Sequence, residues 1–531
     1  MFKVQSFNSK KEIMKRTFFL TCTFLFINLC FSANYYAAPN ATGSGTSIDN
    51  PCSFTAGIAK SDLDTLFLRG GQYNLTATQN FNATGTATKR KAMVAYGNEK
   101  PILDFRNQAY GSRGVQFGGN YQYVRGITIC YTGKNGFYVT GSYSIFENCE
   151  TYGNGDTGFQ NKNCCGNLIK NCDSHHNFDY QSGSLTSPNF GGNADGFADK
   201  QYVNNGAPNV YEGCRSWANS DDGWDFYDKT GSSIIRNSIC FNIGPSSYDM
   251  RNHPRLNVDK SWFDQFPTTI NDNYITLENY RNYGNRNGYK LGGLNSVHDV
   301  EVTNCLAVAC AGKGFDQNNN FGTMTLYNNS SYNNGRNYGF SNGNGGTLII
   351  RNSLSLNTNG GQSNSFSTKT YTHSHNSWDI SGLTCTVADF ASLDTSLVIS
   401  PRLPNGDLPV TPFMRLVEGS KLIDAGTNVG LPYAGKAPDL GCFEFGEITG
   451  FTETSKKPVS LLKNNIASDF IGLNSIDKIS SVQIFSITGQ LCLSLKLAAK
   501  EIDVSMLNSG YYIVKILKEN NEILTEKFLK K

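Results

Sequence analysis

Five charged residues in three short motifs carry the chemistry open to this sequence. Asn193-Ala194-Asp195-Gly196-Phe197 holds one carboxylate, and Ser220-Asp221-Asp222-Gly223-Trp224-Asp225 holds three. Asn287-Gly288-Tyr289-Lys290-Leu291-Gly292-Gly293 holds a lysine. Each motif contains a Gly-aromatic pair, which puts Gly196, Gly223 and Gly288 at equivalent positions of a repeated unit. Asp195 and Asp222 both precede that glycine, so stacked repeats set them one strand spacing apart, roughly 4.8 Å. Carboxylates at that distance repel unless a cation holds them. The donors are hard oxygens without a histidine or cysteine among them, which selects Ca²⁺ over zinc, and turn-borne ligands suit its irregular coordination better than that of magnesium. The plainer alternative, that Asp-Gly simply caps turns, accounts poorly for four aspartates converging in adjacent repeats. Asp199 and Asp228, by contrast, read as solvent-facing. Lys290 follows its Gly-aromatic pair and should rise from the same face as the carboxylates. A divalent ion and partial desolvation there would lower its pKa and make the neutral amine available.

The repeat that sets this register is legible along much of the chain. Gly-aromatic pairs recur at Gly136-Phe137, Gly158-Phe159, Gly196-Phe197, Gly223-Trp224, Gly288-Tyr289, Gly314-Phe315 and Gly339-Phe340. A second series, Asn148, Asn171, Asn237, Asn304, Asn328 and Asn352, is spaced by 23, 66, 67, 24 and 24 residues. Gly213 divides the first long interval, leaving a period near 23 with insertions after Asn171 and after Asn237. Short β-branched and aromatic runs between Asn/Gly turns are strands, and three of them fill one coil. Stacked coils pair each strand with its equivalents above and below. The expected fold is all-β, a parallel β-helix over about 34–447. A leucine-rich repeat lacks its leucine spacing here, and a propeller needs longer repeats. Ser53 to Asp62 predicts a capping helix, Asp64 to Tyr73 the first strand, and Leu422 to Phe445 a closing segment.

Bulk properties narrow the function. With 54 glycines, 12% aromatic and 17% charged residues, the chain favours turns and strands over charged helices. A net charge of +3 over 531 residues gives no argument for nucleic acid. Lys10, Lys11, Lys15 and Arg16 precede the apolar stretch Thr17 to Ser32, the pattern of a secretory signal over 1–33. No transmembrane segment is expected after its removal. Of fifteen cysteines, thirteen follow the signal; adjacent Cys164-Cys165 and the lack of paired CxxC motifs argue against zinc and for small core side chains. After a polar linker over 448–460, alternating strands in 461–531 predict a small C-terminal β-sandwich.

NADGF, SDDGWD and GYKLGG in this order resemble polysaccharide lyase family 9, the pectate lyases. The resemblance covers 34–447. It implies a right-handed β-helix in which Asp195, Asp221, Asp222 and Asp225 bind Ca²⁺ and Lys290 is the Brønsted base. It further implies β-elimination on an acidic plant cell-wall polysaccharide, pectin or polygalacturonate, giving 4,5-unsaturated products. Tyr289 stands where phenylalanine is usual, and an insertion around Tyr248 to Ile275 is expected to overhang the groove. Arg215, Arg236, Arg281 and Arg286 are candidates for pairing with substrate carboxylates. The VQIFSITGQ and DVSMLNSGYYIVKI stretches and the basic end resemble the C-terminal sorting domain of the type IX secretion system, which implies a secretion-machinery partner and an extracellular or cell-surface location; a carbohydrate-binding module is the alternative. Three other readings of the solenoid stay open: a rhamnogalacturonan lyase, a polygalacturonase, whose Gly-His-Gly and Arg-Ile-Lys motifs are missing, and a non-catalytic adhesin.

Overall fold

The computed structural model describes residues 33–184, 186–201, 206–245, 247–248, 253–265, 280–357 and 363–446. In the C-terminal segment it describes 462–463, 466–473, 479–486, 491–495, 500–518 and 523–531. The expected signal and linker lie outside the described residues, and Ala33 opens the first strand. The chain divides into two compact units, one of them 1–429 with 436–444, the other 430–435 with 445–531.

Three stacked parallel sheets build the first unit. Sheet I has twelve strands from Ala33–Ala37 to Thr370–Ser374, sheet II ten from Gln79–Phe81 to Asn364–Phe366, and sheet III ten from Gly71–Asn74 to Leu354–Leu356. One coil passes from sheet I to III to II, as in Leu168–Lys170, Asp173–His175 and Phe197–Lys200, before Asn209–Glu212 resumes sheet I. Pairing is parallel: Phe137–Val139 bonds Val115–Phe117 on one side and Phe159–Lys162 on the other. Such crossovers wind right-handed because twisted strands pack back onto their sheet in that sense.

The asparagine series marks the corner between sheets I and III. All six asparagines have φ between 52° and 55°, the left-handed region that asparagine tolerates best among non-glycine residues. Gly213 takes the same corner at φ 64°, and a Cβ there would lie 2.2 Å from Asn171 Oδ1. The corner asparagines bond one another, Asn304 Nδ2 to Asn237 Oδ1 at 3.2 Å and Asn352 Nδ2 to Asn328 Oδ1 at 2.9 Å. Inside, the aromatic of each pair stacks on the next: Phe197–Trp224 at 4.9 Å, Trp224–Tyr289 and Tyr289–Phe315 at 4.8 Å. The preceding glycine lets sheet II start hard against sheet III, since a Cβ on Gly196 would sit 2.0 Å from Ser216 Oγ. The seventh pair departs from the expected register. Phe315 pairs with Tyr338 and Asp316 with Gly339, so Tyr338 continues the stack and Gly339-Phe340 is displaced by two residues. The described cysteines of the solenoid are all buried, as core side chains should be; Cys492 in the second unit is exposed.

The ends differ in detail from the expectation. Helix Phe54–Ile58, capped by Ser53 Oγ accepting from Ala56 N at 3.2 Å, covers the start of the core. Asp64 to Tyr73 spans two strands, Leu63–Leu68 in sheet I and Gly71–Asn74 in sheet III, and Ala33–Ala37 precedes both. Phe366, Tyr371 and Trp378 stack at 4.8–5.3 Å at the far end of the core. Of Leu422 to Phe445, residues of the first unit bond the sheet III corner: Asn352 Oδ1 accepts from Thr427 N at 2.8 Å and Ser330 Oγ from Cys442 N at 2.9 Å.

The two insertions both connect sheet III to sheet II. Phe178, Tyr180 and Phe190 of the first and Phe263 of the second form a satellite apolar cluster. Arg255, fully buried, donates to the carbonyls of Phe105 (3.2 Å), Gln108 (2.6 Å) and Tyr131 (3.1 Å) and pairs with Asp259 at 3.1 Å. The described part of the second insertion is thus pinned to the turns of earlier coils; 249–252 and 266–279 lie outside the described residues.

The second unit is a five-stranded mixed sheet, in the order Ile466–Ala467, Ile523–Lys530, Gly510–Lys518, Ile479–Ser486, Leu491–Leu495, with a two-stranded sheet of Phe470–Gly472 and Glu501–Asp503. Ile471, Val482, Ile484, Ile502, Val514, Ile516 and Phe528 form its core. Gln490 and its neighbours back to Ile487 lie outside the described residues. Among the described residues, no helix is long and apolar enough to cross a membrane.

Candidate active site

On sheet II, alternation sends Phe197, Trp224 and Tyr289 inward and Ala198, Asp225 and Lys290 outward, with Ala198 opposite Asp225 and Asp225 opposite Lys290. Asp195, Asp221 and Asp222 occupy the turns that lead into these strands. Their carboxylates each offer an oxygen within 4.8 Å of the others, and all three residues are buried. Backbone donors hold them: Asp222 N donates to Asp195 Oδ1 at 3.3 Å, Asn285 N to Asp221 Oδ1 at 2.6 Å, and Asn287 N to Asp222 Oδ1 at 2.8 Å. Thr157 Oγ1 donates to Asp195 Oδ2 at 3.0 Å. Asp225 stands just outside this triad and pairs with two lysines, Lys200 in close contact and Lys290 Nζ at 3.4 Å. Lys290 Nζ also lies 3.0 Å from Asp222 Oδ2 and 5.4 Å from the Tyr227 ring centre.

The charges at this point do not balance. Among the described residues, four buried carboxylates face two ammonium groups, which leaves two negative charges, as many as a divalent cation could neutralise. Burial, reinforced by the neighbouring carboxylates, pushes Asp195 up to about 8 and Asp221 up to about 7. Asp222 Oδ2 is wholly buried and accepts no hydrogen bond of ordinary geometry, with the Lys290 ammonium 3.0 Å away. A convergent all-oxygen set, an unsatisfied buried oxygen and an uncompensated charge fit a hard cation. The expected lowering of the Lys290 pKa depends on a divalent ion among the carboxylates. Burial alone would lower it, but Asp222, Asp221 and Asp195 outweigh burial and hold the ammonium above its ordinary value.

An open groove of about 630 Å³ runs over this site. Gly192 and Asn193 from the first insertion and Asn285 from the second stand in its lining. Its cations include Arg113, Lys134, Lys162, Lys200 and Lys290. The four arginine candidates lie elsewhere. Arg215 is buried on sheet III, 2.8 Å from Asp173, which Arg402 also grips at 2.6 Å. Arg236 pairs with Glu212 on sheet I, Arg281 lies over Tyr283, and the Arg286 side chain packs on Gly244. Sequence register could have found the true groove cations. Lys162 and Lys200 each stand three residues after the aromatic of a Gly-Phe pair, and Arg113 precedes Gly114 as Asp222 precedes Gly223. Asp199 is not solvent-facing: it is fully buried inside the coil, 2.9 Å from Lys229. Asp228 is partly exposed and lines the groove at φ 63°.

Comparison with known proteins agrees with this architecture. Residues 35–364 match the family described as Pel9A-like, right handed beta helix region, and residues 465–531 match the secretion system C-terminal sorting domain. The sorting domain marks the protein for export to the cell surface or exterior. Pectate lyase L of Dickeya chrysanthemi is 36% identical over 428 residues, 77% of this chain and 90% of that protein. Pectate lyase L of Paenibacillus polymyxa is 34% identical over 69% of this chain and 77% of its own length. The crystal structure of pectate lyase Pel9A superposes with a TM-score of 0.65 at 34% identity, covering 78% of this chain and 96% of that one. A rhamnogalacturonan lyase at 22% identity and a TM-score of 0.59 shares the fold. With the β-helix, the aspartate turns and Lys290 in place, the chain belongs to the Pel9A-like right-handed β-helix family, polysaccharide lyase family 9.

Proposed function

We propose that this protein is an exported, Ca²⁺-dependent pectate lyase that cleaves polygalacturonate-type pectin by β-elimination. In this reading Lys290 is the base, and Asp195, Asp221, Asp222 and Asp225 hold the cation. One observation carries it: Lys290 Nζ lies 3.0 Å from Asp222 and 3.4 Å from Asp225 beside a buried, over-charged aspartate cluster on the floor of an open groove. The relatives named as pectate lyases support the substrate class.

When bound, Ca²⁺ supplies Lewis-acid polarisation of a uronate carboxylate, which acidifies the proton on C5. The protein's own groups do the rest. Lys290 Nζ accepts the C5 proton as general base, the electron pair left behind forms the C4–C5 double bond, and the C4–O bond to the next sugar breaks. The leaving oxygen is protonated from water in the open groove. Lys290 must first shed its own proton, and the carboxylates that hold it charged are those assigned to the cation. Tyr227 flanks the amine.

Polygalacturonate supplied with Ca²⁺ or with chelator, followed by ultraviolet absorbance of the unsaturated product, tests the reading. Absorbance that appears with Ca²⁺ and vanishes in chelator supports it. New reducing ends without absorbance would make the protein a hydrolase, and cleavage confined to an alternating rhamnose-uronate backbone would move it to that substrate.

A further inference from the structure

The groove is not symmetric about Lys290. Its lining extends from the Lys290 coil only toward the N-terminal end of the solenoid, through Asp225, Lys200, Lys162 and Tyr138 to Arg113. On the other side the outward residue after Lys290 on sheet II is Asp316, already paired with Lys313 at 2.9 Å, and then Gly339. A polyanion laid along sheet II therefore meets several groove cations in one direction and an ion pair, Asp316 with Lys313, in the other.

The cations in the favoured direction fall into two kinds. Lys134 has Asp156 at 3.7 Å, Lys200 has Asp195 and Asp225, and Lys290 has Asp222 and Asp225. Arg113 and Lys162 line the same groove, and among the described residues no carboxylate pairs with either. Arg113 is also held in place. Its guanidinium lies 3.6 Å from the centre of the Tyr138 ring, and it donates to Gln116 Oε1 at 3.3 Å and Asn135 Oδ1 at 3.4 Å. Both partners are neutral, so its charge stays uncompensated and its planar donors stay available.

Register converts this into distance. Val115, Phe137, Phe159, Phe197, Trp224 and Tyr289 pair in succession, which puts Lys162 three coils and Arg113 five coils from Lys290. At about 4.8 Å per coil the separations are about 14 Å and about 24 Å. A pyranose ring is comparable in length to one coil, so these cations reach uronates several units away from the scissile bond.

We infer that Lys162 and Arg113 are specificity-determining residues that grip substrate carboxylates at distal subsites, so that the polyuronate is bound almost wholly on the N-terminal side of Lys290. This rests on the polyuronate reading above, but its test needs no turnover. The full chain carrying Lys290→Ala, with Ca²⁺ present, is titrated calorimetrically with a graded series of oligogalacturonates. Affinity should rise with length until the oligomer reaches Arg113. Adding Arg113→Gln should cost the longest oligomers about tenfold, the loss of one charge-assisted hydrogen bond, and the shortest several-fold less. Lys162→Gln should cut the rise at an intermediate length, and Arg113→Lys should recover part of the loss. Length dependence unchanged by both substitutions, or a uniform loss at every length, would overturn the inference. Length-dependent binding to a parent chain that forms no unsaturated product would instead refute the lyase reading and leave the subsites standing.

Discussion

Asp195 and Asp199 lie four residues apart on one coil, both buried, yet their surroundings differ in kind. Asp199 points into the solenoid, where Lys229 Nζ lies 2.9 Å from one oxygen, and Asn209 Nδ2 and Ser233 Oγ each donate to the other at 3.0 Å. One charge meets one charge and every oxygen is satisfied. Asp195 sits at the groove among Asp221, Asp222 and Asp225, where two lysines leave the charge uncompensated. The first arrangement is complete without a ligand, while the second is a cluster that could hold a cation. Burial and acidity are common to both, so neither identifies a functional carboxylate; the local charge balance does.

Substitutions that remove one member from each cluster test this contrast. Lys290→Ala should lower the rate of unsaturated-product formation by about 10²–10⁴, the usual worth of a general base, with the folded state intact by circular dichroism. Asp199→Asn should act the other way round. Leaving Lys229 buried without its partner should cost about 3–5 kcal/mol in denaturant unfolding, with Ca²⁺ affinity little changed. Asp222→Asn should weaken Ca²⁺ binding by about tenfold or more in calorimetric titration, outer-shell partners alone being worth that much, while thermal stability measured in chelator should not fall. A loss of stability in chelator as large as that of Asp199→Asn would erase the distinction.

A further expected effect is in pH. Burial raises the folded-state values of Asp195 to about 8 and Asp221 to about 7, above their unfolded values. Between those limits the folded state holds more protons than the unfolded one, so stability falls as pH rises from about 4 through 8. Thermal melts in chelator should show this decline, and saturating Ca²⁺ should flatten it. A chelated protein that gains stability over that interval would contradict the assigned imbalance.

The same contrast explains what could be read early. Asp195, Asp221, Asp222, Asp225 and Lys290 were legible because each sits at a fixed offset from a Gly-aromatic pair, and parallel stacking converts equal offsets into neighbouring positions. Asp199 was read as solvent-facing because it is charged, although strand alternation from the inward Phe197 sends it into the coil. Its partner Lys229 lies on another coil, and nothing near Asp199 in sequence announces it. Arg215, one of the four arginine candidates, is set away from the groove for a related reason. An arginine on a coil next to the motif looks close in sequence, but it belongs to sheet III, and Arg402, 187 residues later, joins it on Asp173.

Two kinds of information are therefore separable. The residue pattern alone determined the solenoid, its asparagine corners and the offset of the five charged groups, because a stacked coil repeats local backbone geometry and so carries register through the chain. Tertiary structure alone decided which buried charges are balanced, which insertion residues reach the groove, and on which side of Lys290 the free cations lie. Charge balance depends on distances between coils far apart in sequence, and a period, however regular, does not encode them.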